Sequence, residues 1–343
     1  MTRLAVVADD LTGALDAAAP FAAYGLTTMV ALRPEALPLC LDQGPEILGV
    51  STDSREIDAE EARNAVAKSV RLLSGVPILK KIDSRLKGNI ETELDAIAFR
   101  RALVIPAIPE FDRWVKDGRL GGFGVDEQVD VPSRLGRHAA KADIPDASTM
   151  GDIETAVERG GFDLPVGARG LAEALARRMA SGSFPAAPPI AASGITFVVG
   201  SRDPITKEQL AALRQAVPHM TYVAAPDGVA PEHLPAPSAI NLIEAVDAAE
   251  YADPAEVAGG LAETLLRFPP REGEAIFISG GSTAQIVLER LGIDRLELVG
   301  EALPGLPIAR ARGFTIITKS GGFGDRQTLV RLLDRLSVEQ GNG

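Results

Sequence analysis

Several residue types are scarce in this sequence, and each scarcity excludes a class of protein. The 343 residues include one cysteine, Cys40, so the chain has no disulfide framework and no cysteine-based zinc site. The three histidines, His138, His219 and His233, are too scattered for a histidine metal site at helical spacing, and we expect them on the surface. Aromatic residues make up only 4% of the chain, so Ala, Val, Leu and Ile must fill the core.

Positive charge and long apolar runs are also scarce. The formal net charge is −12, which opposes nucleic-acid binding, because such proteins need cations that displace counterions from phosphates. No apolar stretch approaches the roughly 20 residues that cross a bilayer, so no membrane partner is expected. The first residues lead directly into a short strand-like run without the features of a secretion signal, and the cytoplasm is therefore the expected location.

Length and composition are those of an ordinary globular protein with two domains. A domain holds about 150 residues on average, and the chain is 46% hydrophobic and 24% charged. Residues 181–194 combine Ser-Gly-Ser-Phe-Pro with Ala-Ala-Pro-Pro, a composition typical of a linker. We therefore predict one domain over residues 1–185 and a second over residues 195–343.

Short apolar runs alternate with helical patterns along the chain. In the first half, strands are predicted at 4–8, 27–32, 46–51, 77–82, 102–105 and 164–167, and helices at 14–24, 58–73, 90–100 and 170–179. In the second half, strands are predicted at 196–199, 221–224, 275–279 and 315–318, and helices at 206–216, 254–266, 283–291 and 325–336. The alternation predicts an α/β fold in which each domain has a mainly parallel sheet flanked by helices. Residues 110–150 show weak periodicity and are expected to form a lid or an irregular excursion.

Two adjacent carboxylates, Asp9 and Asp10, follow the first predicted strand. Ligands of open α/β sheets bind at the carboxyl ends of the strands. One hypothesis is therefore a general base, or an acid that organises magnesium, beside a hydroxyl substrate. The alternative is a helix N-cap, for which one carboxylate or the hydroxyl of Thr12 would suffice. The position at a strand end favours the functional interpretation.

A basic turn over residues 80–89 holds four cations, one acid and a glycine between a predicted strand and a predicted helix. Such a turn suits an anion, because helix N-terminal amides and cations act together. The alternative is a solvated basic turn. In a chain with a net charge of −12, this concentration of cations at a strand end favours the anion site.

Three segments rich in glycine and hydroxyl groups follow strands in the second half, at residues 200–206, 280–283 and 319–324. Glycines let backbone amides approach phosphate, and hydroxyls add hydrogen-bond donors. Each segment alone is no more than a turn signal. Three in one domain favour a nucleotide cradle, although neither a P-loop nor a G-x-G-x-x-G fingerprint between a strand and a helix is present.

Taken in order, these motifs resemble those of the four-carbon acid sugar kinases. Residues 8–14, Ala-Asp-Asp-Leu-Thr-Gly-Ala, are similar to the family's opening A-D-D-x-T-G-A, and residues 81–89 to K-x-D-S-T-L-R-G-N. Residues 106–109 with Arg113 resemble P-A-x-P-x-x-G-R, and residues 166–172 resemble V-G-S-x-G-L-A. The three glycine-rich segments resemble the family's nucleotide-domain motifs. The resemblance spans nearly the whole chain.

The resemblance implies an acid-sugar substrate-binding domain at 1–185 and an ATP-binding domain at 195–343, with the active site in the cleft between them. It implies that ATP, with Mg²⁺, phosphorylates a hydroxyl of threonate, erythronate, a 3-oxo-tetronate or a related branched acid, and it allows a homodimer. Asp9 and Asp10 would be catalytic, one of them as base. The substrate-binding residues would be Thr12, Lys81, Asp83, Ser84, Arg85, Lys87, Gly88 and Arg113. The ATP-binding residues would be Gly200, Ser201, Gly280, Gly281, Ser282, Thr283, Lys319, Gly321, Gly322 and Gly324.

Three residues depart from the family pattern, all on the substrate side. Arg85 stands in place of a threonine, Lys87 in place of an arginine, and Asp112 in place of a glycine. Lysine binds an anion as a point charge and not through a bidentate fork, so the preferred acid is left open. The alternatives are a sensor that binds an acid sugar or nucleotide without turnover, and a lyase or oxidoreductase, which the missing dinucleotide fingerprint disfavours.

Overall fold

The structure is a computed structural model that describes residues 1–180, 188, 190–248 and 253–337. The chain separates into two compact units, Met1–Pro185 and Ala186–Gly343. Within the linker predicted at 181–194, residues 181–187 and 189 lie outside the described residues.

Parallel strands form the main sheet of the first unit. In spatial order they are β2 (Thr28–Ala31), β3 (Ile47–Ser51), β1 (Leu4–Ala8), β4 (Ile78–Lys81), β10 (Leu164–Gly167), β5 (Ala102–Ile105) and β9 (Ala142–Asp143). Every pairing within this set is parallel. Strands β1, β3, β5 and β10 are buried along their whole length, as parallel strands covered on both faces are.

Helices follow the strands of this sheet. They are α1 (Leu11–Ala23), α2 (Leu37–Leu41), α3 (Ala59–Leu72), α4 (Ile90–Leu94), α5 (Val131–Leu135), α6 (Met150–Arg159) and α7 (Arg169–Met179), with 3-10 turns at Pro34–Ala36, Pro109–Phe111 and Gly136–Lys141. The helix predicted at 90–100 is wrong in length. After Leu94 the N–H groups of Ala96 and Ile97 bond three residues back, to the carbonyls of Glu93 and Leu94, so the α-helical pattern stops there. Further on, Asp163 accepts the backbone N–H groups of Arg100 and Arg101, at 3.0 and 2.8 Å, where the chain enters β5.

Residues 110–150 contain regular structure, and the expectation of an irregular excursion is wrong for much of the segment. Strands β6 (Arg113–Lys116) and β7 (Arg119–Gly122) form an antiparallel hairpin, and β8 (Val129–Asp130) pairs with β7. The hairpin turns at Asp117 and Gly118, both with positive φ. Asp-Gly is a strong signal for such a turn, but strands of four residues are too short to show a clear period.

The second unit repeats the α/β arrangement. In spatial order its main sheet contains β13 (Thr221–Pro226), β14 (Ile240–Val246), β12 (Ile195–Val199), β15 (Ala275–Ser279), β18 (Phe314–Lys319), β17 (Leu306–Ala311) and β16 (Arg295–Leu303). The first five run parallel, and β17 and β16 pair antiparallel. The helices are α8 (Pro204–Ala216), α9 (Pro254–Arg267), α10 (Gly281–Arg290) and α11 (Thr328–Arg335), and β11 (Ile190–Ala191) pairs with β19 (Leu336–Ser337). The predicted fold class is confirmed in each unit.

Two of the three histidines are exposed as expected, but His138 is half-buried. Its Nε2 lies 2.8 Å from Asp95 Oδ1, and its ring lies 5.5 Å from that of Phe99. The 3-10 turn that carries it packs against α4, which explains why the surface prediction fails there. Within residues 1–180, 190–248 and 253–337, no helix is both long enough and apolar enough to span a bilayer.

Two neighbouring glycines in α9 predict opposite effects of the same substitution. A methyl group at Gly259 would meet nothing within 4 Å, whereas one at Gly260 would lie 2.9 Å from the backbone carbonyl carbon of Gly228. Gly259→Ala should raise the free energy of unfolding by about 0.5–1 kcal/mol, because alanine favours the helix. Gly260→Ala should lower it by about 1–3 kcal/mol through overpacking. Urea unfolding of both variants checks this, and effects of the same sign would contradict it.

Candidate active site

The parallel register of the first unit brings three strand ends together. Ala8, the last residue of β1, is paired with Ser51 of β3 and with Lys81 of β4. The segments that follow these strands, including Asp9 and the basic turn, therefore leave the sheet at one edge. The sequence-predicted polar groups meet there, as expected for an open parallel sheet.

One guanidinium binds both carboxylates at this edge. Arg55 donates from Nε and Nη2 to Asp9 Oδ2 and Oδ1, at 2.7 and 3.0 Å. It donates from Nη1 and Nη2 to Asp10 Oδ2 and Oδ1, at 3.1 and 2.8 Å. The exposed side-chain fractions of Asp9, Asp10 and Arg55 are 2%, 12% and 20%, so water screens these charges little. Sequence reasoning missed Arg55, whose only signal was its place just after β3.

The charge on Arg55 keeps Asp9 ionised. Burial alone would raise the pKa of Asp9, but the Arg55 guanidinium, with help from Lys80 and Lys81, lowers it below its ordinary value. Burial likewise opposes the charge on Arg55, yet the carboxylates of Asp10 and Asp9 raise the pKa of Arg55 well above its usual range. Asp9 and Arg55 therefore each hold the other in its charged form.

Asp10 also caps α1. Its Oδ1 accepts the backbone N–H of Gly13 at 2.8 Å, and its Oδ2 accepts the hydroxyl of Thr12 at 2.7 Å. Residue 13 must be glycine here, because a methyl group would lie 2.4 Å from Asp10 Oδ1. The N-cap interpretation therefore holds for Asp10, while a catalytic role of the aspartate pair stays a prediction.

The adjacent lysines at the end of β4 have different surroundings, because successive side chains of a strand point to opposite faces. Lys80 is fully buried, with Nζ 2.9 Å from Glu93 Oε2 of α4, and the other oxygen of Glu93 accepts the hydroxyl of Ser54. Lys81 Nζ lies 3.0 Å from the position of a methyl group at Gly13, on the side of the aspartates. Lys80 is therefore structural, and Lys81 is the lysine near the carboxylate pair.

Two arginines converge at the hairpin of the first unit. Arg113, 1% exposed, donates from Nη1 to Ser84 Oγ at 2.7 Å and from Nε and Nη2 to the Phe123 carbonyl at 3.2 and 2.9 Å. A methyl group at Gly124 would lie 2.9 Å from Arg85 Nη2 and 3.3 Å from Arg113 Nη2. Burial, and then Arg85, lower the pKa of Arg113 to about 10, so it remains a cation at neutral pH.

Within the described residues, neither of these guanidiniums has a carboxylate within ion-pair distance. Like charges held together without a counterion repel each other, and the repulsion is relieved when an anion binds between them. The pair of Arg85 and Arg113 is therefore a candidate site for a carboxylate or phosphate.

The basic turn connects the two clusters. The Asp83 carboxylate accepts the backbone N–H groups of Arg85 and Lys87 at 2.9 and 3.2 Å, and lies 3.7 Å from Arg55 Nη2. Lys87 and Gly88 are exposed. Of the residues predicted to bind substrate, the structure brings Thr12, Lys81, Asp83 and Gly88 to the aspartates, brings Ser84, Arg85 and Arg113 together, and leaves the Lys87 side chain outside both clusters.

The register of the second unit has the same consequence. Val199 of β12 is paired with Ser279 of β15, which is paired with Lys319 of β18. The three glycine-rich segments, 200–206, 280–283 and 320–324, therefore leave the sheet at one edge. Helix α10 begins there without a side-chain cap, so its N-terminal amides are available to an anion. Helix α8 also begins there, but Pro204 has no N–H group and the Asp203 carboxylate accepts the N–H of Ile205, so this end is already capped.

A cavity of about 230 Å³ lies between the first two of these segments and the start of α9, and residues 320–324, with the predicted Gly321, Gly322 and Gly324, do not line it. A methyl group at Gly200 would lie 2.4 Å from Thr283 Oγ1, and one at Gly321 would lie 2.6 Å from Ser201 Oγ, so the backbones approach closely. Its lining residues are Gly200, Ser201, Arg202, Pro254, Val257, Gly280, Gly281, Ser282 and Thr283. Backbone amides, hydroxyls and one arginine in a concave site suit a phosphate chain.

Lys319 is fully buried and does not line this cavity. Its Nζ donates to Thr206 Oγ1 at 3.1 Å and to the carbonyls of Ser320 and Gly321 at 3.0 and 2.7 Å. Burial lowers the pKa of Lys319 to about 7, against the attraction of Asp203. The amine therefore shapes the loop over residues 320–324, and a direct contact between Lys319 and ATP stays a prediction.

The structure fits a Mg²⁺ ion that arrives with the nucleotide. Within the described ranges, no group of three or more His, Cys, Asp or Glu side chains is arranged to hold a metal ion. Mg²⁺ usually binds one or two carboxylates together with substrate phosphates and water. Asp203, at the N-terminus of α8, offers one carboxylate beside Ser201 and Gly321.

Known proteins resemble both units. The family model described as Sugar-binding N-terminal domain matches residues 4–142, and that described as Nucleotide-binding C-terminal domain matches residues 236–329. A D-threonate kinase of Bordetella bronchiseptica is 30% identical over 96% of each chain, and a 3-oxo-tetronate kinase of Methylobacterium radiotolerans is 27% identical over 97% of this chain and 99% of its own. A crystal structure of a Haemophilus influenzae protein of the family DUF1537 shares the fold, with a TM-score of 0.66 and 19% identity over 96% of this chain and 99% of its own.

Full-length relatives of this kind define a class of two-domain small-molecule kinases. The chain belongs to the four-carbon acid sugar kinase family. The predicted family, the kinase class and the nucleotide-binding function are thereby confirmed, while the roles of single residues stay predictions.

Removing one partner of the buried ion pair of Lys80 and Glu93 should lower the free energy of unfolding more than replacing both residues with apolar ones. Glu93→Leu alone should lower the free energy of unfolding by about 3–5 kcal/mol, because it leaves the Lys80 charge buried and unpaired. The double variant Lys80→Met with Glu93→Leu should recover most of that loss. Urea unfolding at pH 7 measures both, and a double variant no more stable than the single one would contradict an electrostatic origin.

Proposed function

We propose that this protein transfers the terminal phosphoryl group of ATP to a hydroxyl of a four-carbon acid sugar, a tetronate or 3-oxo-tetronate. Membership of the family supports the reaction, and one geometric observation carries the substrate class. A buried, ionised aspartate pair and two arginines without carboxylate partners flank the same short turn, residues 83–88. A small molecule with hydroxyls at one end and a carboxylate at the other matches that arrangement.

The arginines bind the carboxylate of the acid in this proposal. Arg113 is held by Ser84 and by the Phe123 carbonyl, so its guanidinium is pre-oriented and little side-chain entropy is lost on binding. The Arg85 guanidinium also lies beside Gly124, so it can bind the same anion. Charge-assisted hydrogen bonds of this kind are about twice as strong as neutral ones, so a neutral polyol would bind far more weakly.

The aspartate pair receives the hydroxyl end of the acid. An ionised carboxylate orients the hydroxyl and accepts its hydrogen, while Lys81 offers a positive charge to the phosphoryl group in transfer. Phosphoryl transfer depends mainly on positioning and electrostatics, so a rigid site with fixed charges suits it.

The nucleotide phosphates bind the glycine-rich cavity of the second unit in this proposal. The amides that begin α10, with Ser201 and Thr283, hold the phosphate oxygens. Mg²⁺, when bound with ATP, neutralises charge on the phosphates, and Asp203 is the candidate carboxylate. Lys319 stabilises the 320–324 loop by donating to the carbonyls of Ser320 and Gly321.

ADP release from ATP and Mg²⁺ across a panel of acids tests the function. The panel contains both enantiomers of threonate and erythronate, their 3-oxo analogues, and the neutral polyols threitol and erythritol. At least one acid should turn over, and its polyol should lose about 10²–10⁴-fold in kcat/KM, because the arginine pair is then left without its anion. Binding of an acid in a thermal-shift assay without any ADP release would point to a sensor instead.

Removing one of the two arginines should weaken binding of the acid and leave the nucleotide alone. Arg113→Met and Arg85→Met should each raise KM for the acid by about 10–100-fold, the loss of one or two charge-assisted hydrogen bonds, with KM for ATP unchanged. Arg119→Met, an exposed arginine on the same hairpin, is the matched control. Steady-state kinetics decide the question, and an unchanged KM for the acid in both variants would remove the arginines from the site.

A further inference from the structure

The two aspartates of the pair differ in how many acceptor positions are free. A carboxylate has about four lone-pair positions for hydrogen bonds. On Asp10, Oδ1 accepts from Gly13 N and Arg55 Nη2, and Oδ2 accepts from Thr12 Oγ1 and Arg55 Nη1. Asp10 therefore has no position left for a substrate hydroxyl.

Asp9 keeps two positions. Each of its oxygens accepts one hydrogen bond, both from Arg55, and no other described residue donates to the carboxylate. A methyl group at the exposed residue Gly88 would lie 3.4 Å from Asp9 Oδ2. The same methyl group would lie 3.3 Å from Arg55 Cγ, and Asp9 is only 2% exposed, so the backbone of Gly88, which has no side chain, marks the side from which a small hydroxylated molecule would reach that oxygen.

Hydrogen bonds of its neighbour Ser54 fix the backbone next to Arg55. Ser54 donates its N–H to the Asp9 carbonyl at 2.9 Å and its hydroxyl to Glu93, and Asn89 Nδ2 donates to the Ser54 carbonyl at 2.9 Å. The backbone from which the Arg55 side chain extends is therefore fixed, and four hydrogen bonds hold its guanidinium on the two carboxylates.

We infer that Asp9 is the catalytic carboxylate that receives the hydrogen of the acceptor hydroxyl, and that Asp10 and Arg55 are positioning residues that hold it. This rests on the proposed kinase function. In the transfer, the hydroxyl oxygen forms a bond to the γ-phosphorus while the bond from that phosphorus to the β–γ bridging oxygen breaks and ADP leaves. The proton passes to Asp9 and then to solvent.

The surroundings of Asp9 suit a weak base whose pKa lies below its ordinary value. Asp10 faces it from the start of α1, Arg55 from the segment after β3, Lys80 and Lys81 from β4, and Asp83 lies beyond Arg55. The cations outweigh the neighbouring acids. In a loose phosphoryl-transfer transition state, the acceptor hydroxyl loses little of its proton early in the reaction. The orientation of the hydroxyl therefore matters more than the basicity of the carboxylate.

Two isosteric variants separate the aspartates. Asp9→Asn removes the proton acceptor and should lower kcat by about 10²–10⁴-fold with a smaller change in KM for the acid. Asp10→Asn keeps an oxygen for Gly13 but loses the oxygen that accepts from Thr12 and from Arg55 Nη1, and because neither contact involves the acceptor hydroxyl, kcat should fall by roughly 10-fold or less. The inference is overturned if Asp10→Asn is the more damaging change in kcat.

The positioning role of Arg55 has a readout that a merely structural role would not move. Without the full guanidinium fork the pKa of Asp9 should rise, so the acidic limb of the pH profile of kcat/KM should shift upward in Arg55→Lys and further in Arg55→Gln. Arg100→Lys, at an exposed arginine that pairs with Asp163, should leave the limb unmoved. An unshifted limb in a folded Arg55→Lys variant would overturn the positioning role.

A second measurement does not require activity. Carbon-13 NMR of aspartate carboxyls, with the Asp9 signal assigned through Asp9→Asn, should show Asp9 titrating below a free aspartate in the wild-type chain and at higher pH in Arg55→Lys. If no acid of the panel is phosphorylated, the proposed function fails, and this titration still decides whether Arg55 controls Asp9. Equal titration of Asp9 in the two proteins would refute that control.

Discussion

Parallel strand direction is the constraint on which both candidate sites depend. In the first unit, Ala8, Ser51 and Lys81 are in register, so residues far apart in the chain leave the sheet at the same edge. If one of these strands ran the other way, its polar end would lie on the opposite side of the unit. In the second unit the same constraint gathers three glycine-rich loops, and the antiparallel strands β16 and β17 stand apart from them at one side of the sheet. The grouping of polar residues at each candidate site thus follows from the parallel direction of the strands.

Electrostatic pairing at the edge of the first sheet follows from burial. Buried charges are costly unless paired, and the chain pairs Lys80 with Glu93 below the site and Arg55 with two aspartates within it. Arg85 and Arg113 are left without carboxylates of their own. A chain with a net charge of −12 that leaves two guanidiniums without counterions in one place has a local charge opposite to its overall charge, and this contrast is what supports the proposed carboxylate site.

Much of this was accessible from the sequence, because strand ends in α/β proteins can be located from short apolar runs. Asp9, Lys81 and the glycine loops were found in that way. Arg55 was not, because its partners lie about 46 residues away and only the pairing of β1 with β3 brings them together. The distinction between Lys80 and Lys81 required knowing which face of β4 meets α4. The hairpin at residues 113–122 has strands too short for a period, although its Asp-Gly turn was visible in the sequence.

The near-neutral pKa of Lys319 has a consequence for the thermodynamics of the second unit. A phosphate chain bound beside the 320–324 loop would stabilise the ammonium form of that buried amine and so raise its pKa. If the nucleotide binds there, as proposed, its binding would be accompanied by proton uptake near neutral pH. The heat of binding would contain the ionisation heat of whichever buffer supplies the proton. The measured binding enthalpy would therefore differ from one buffer to another.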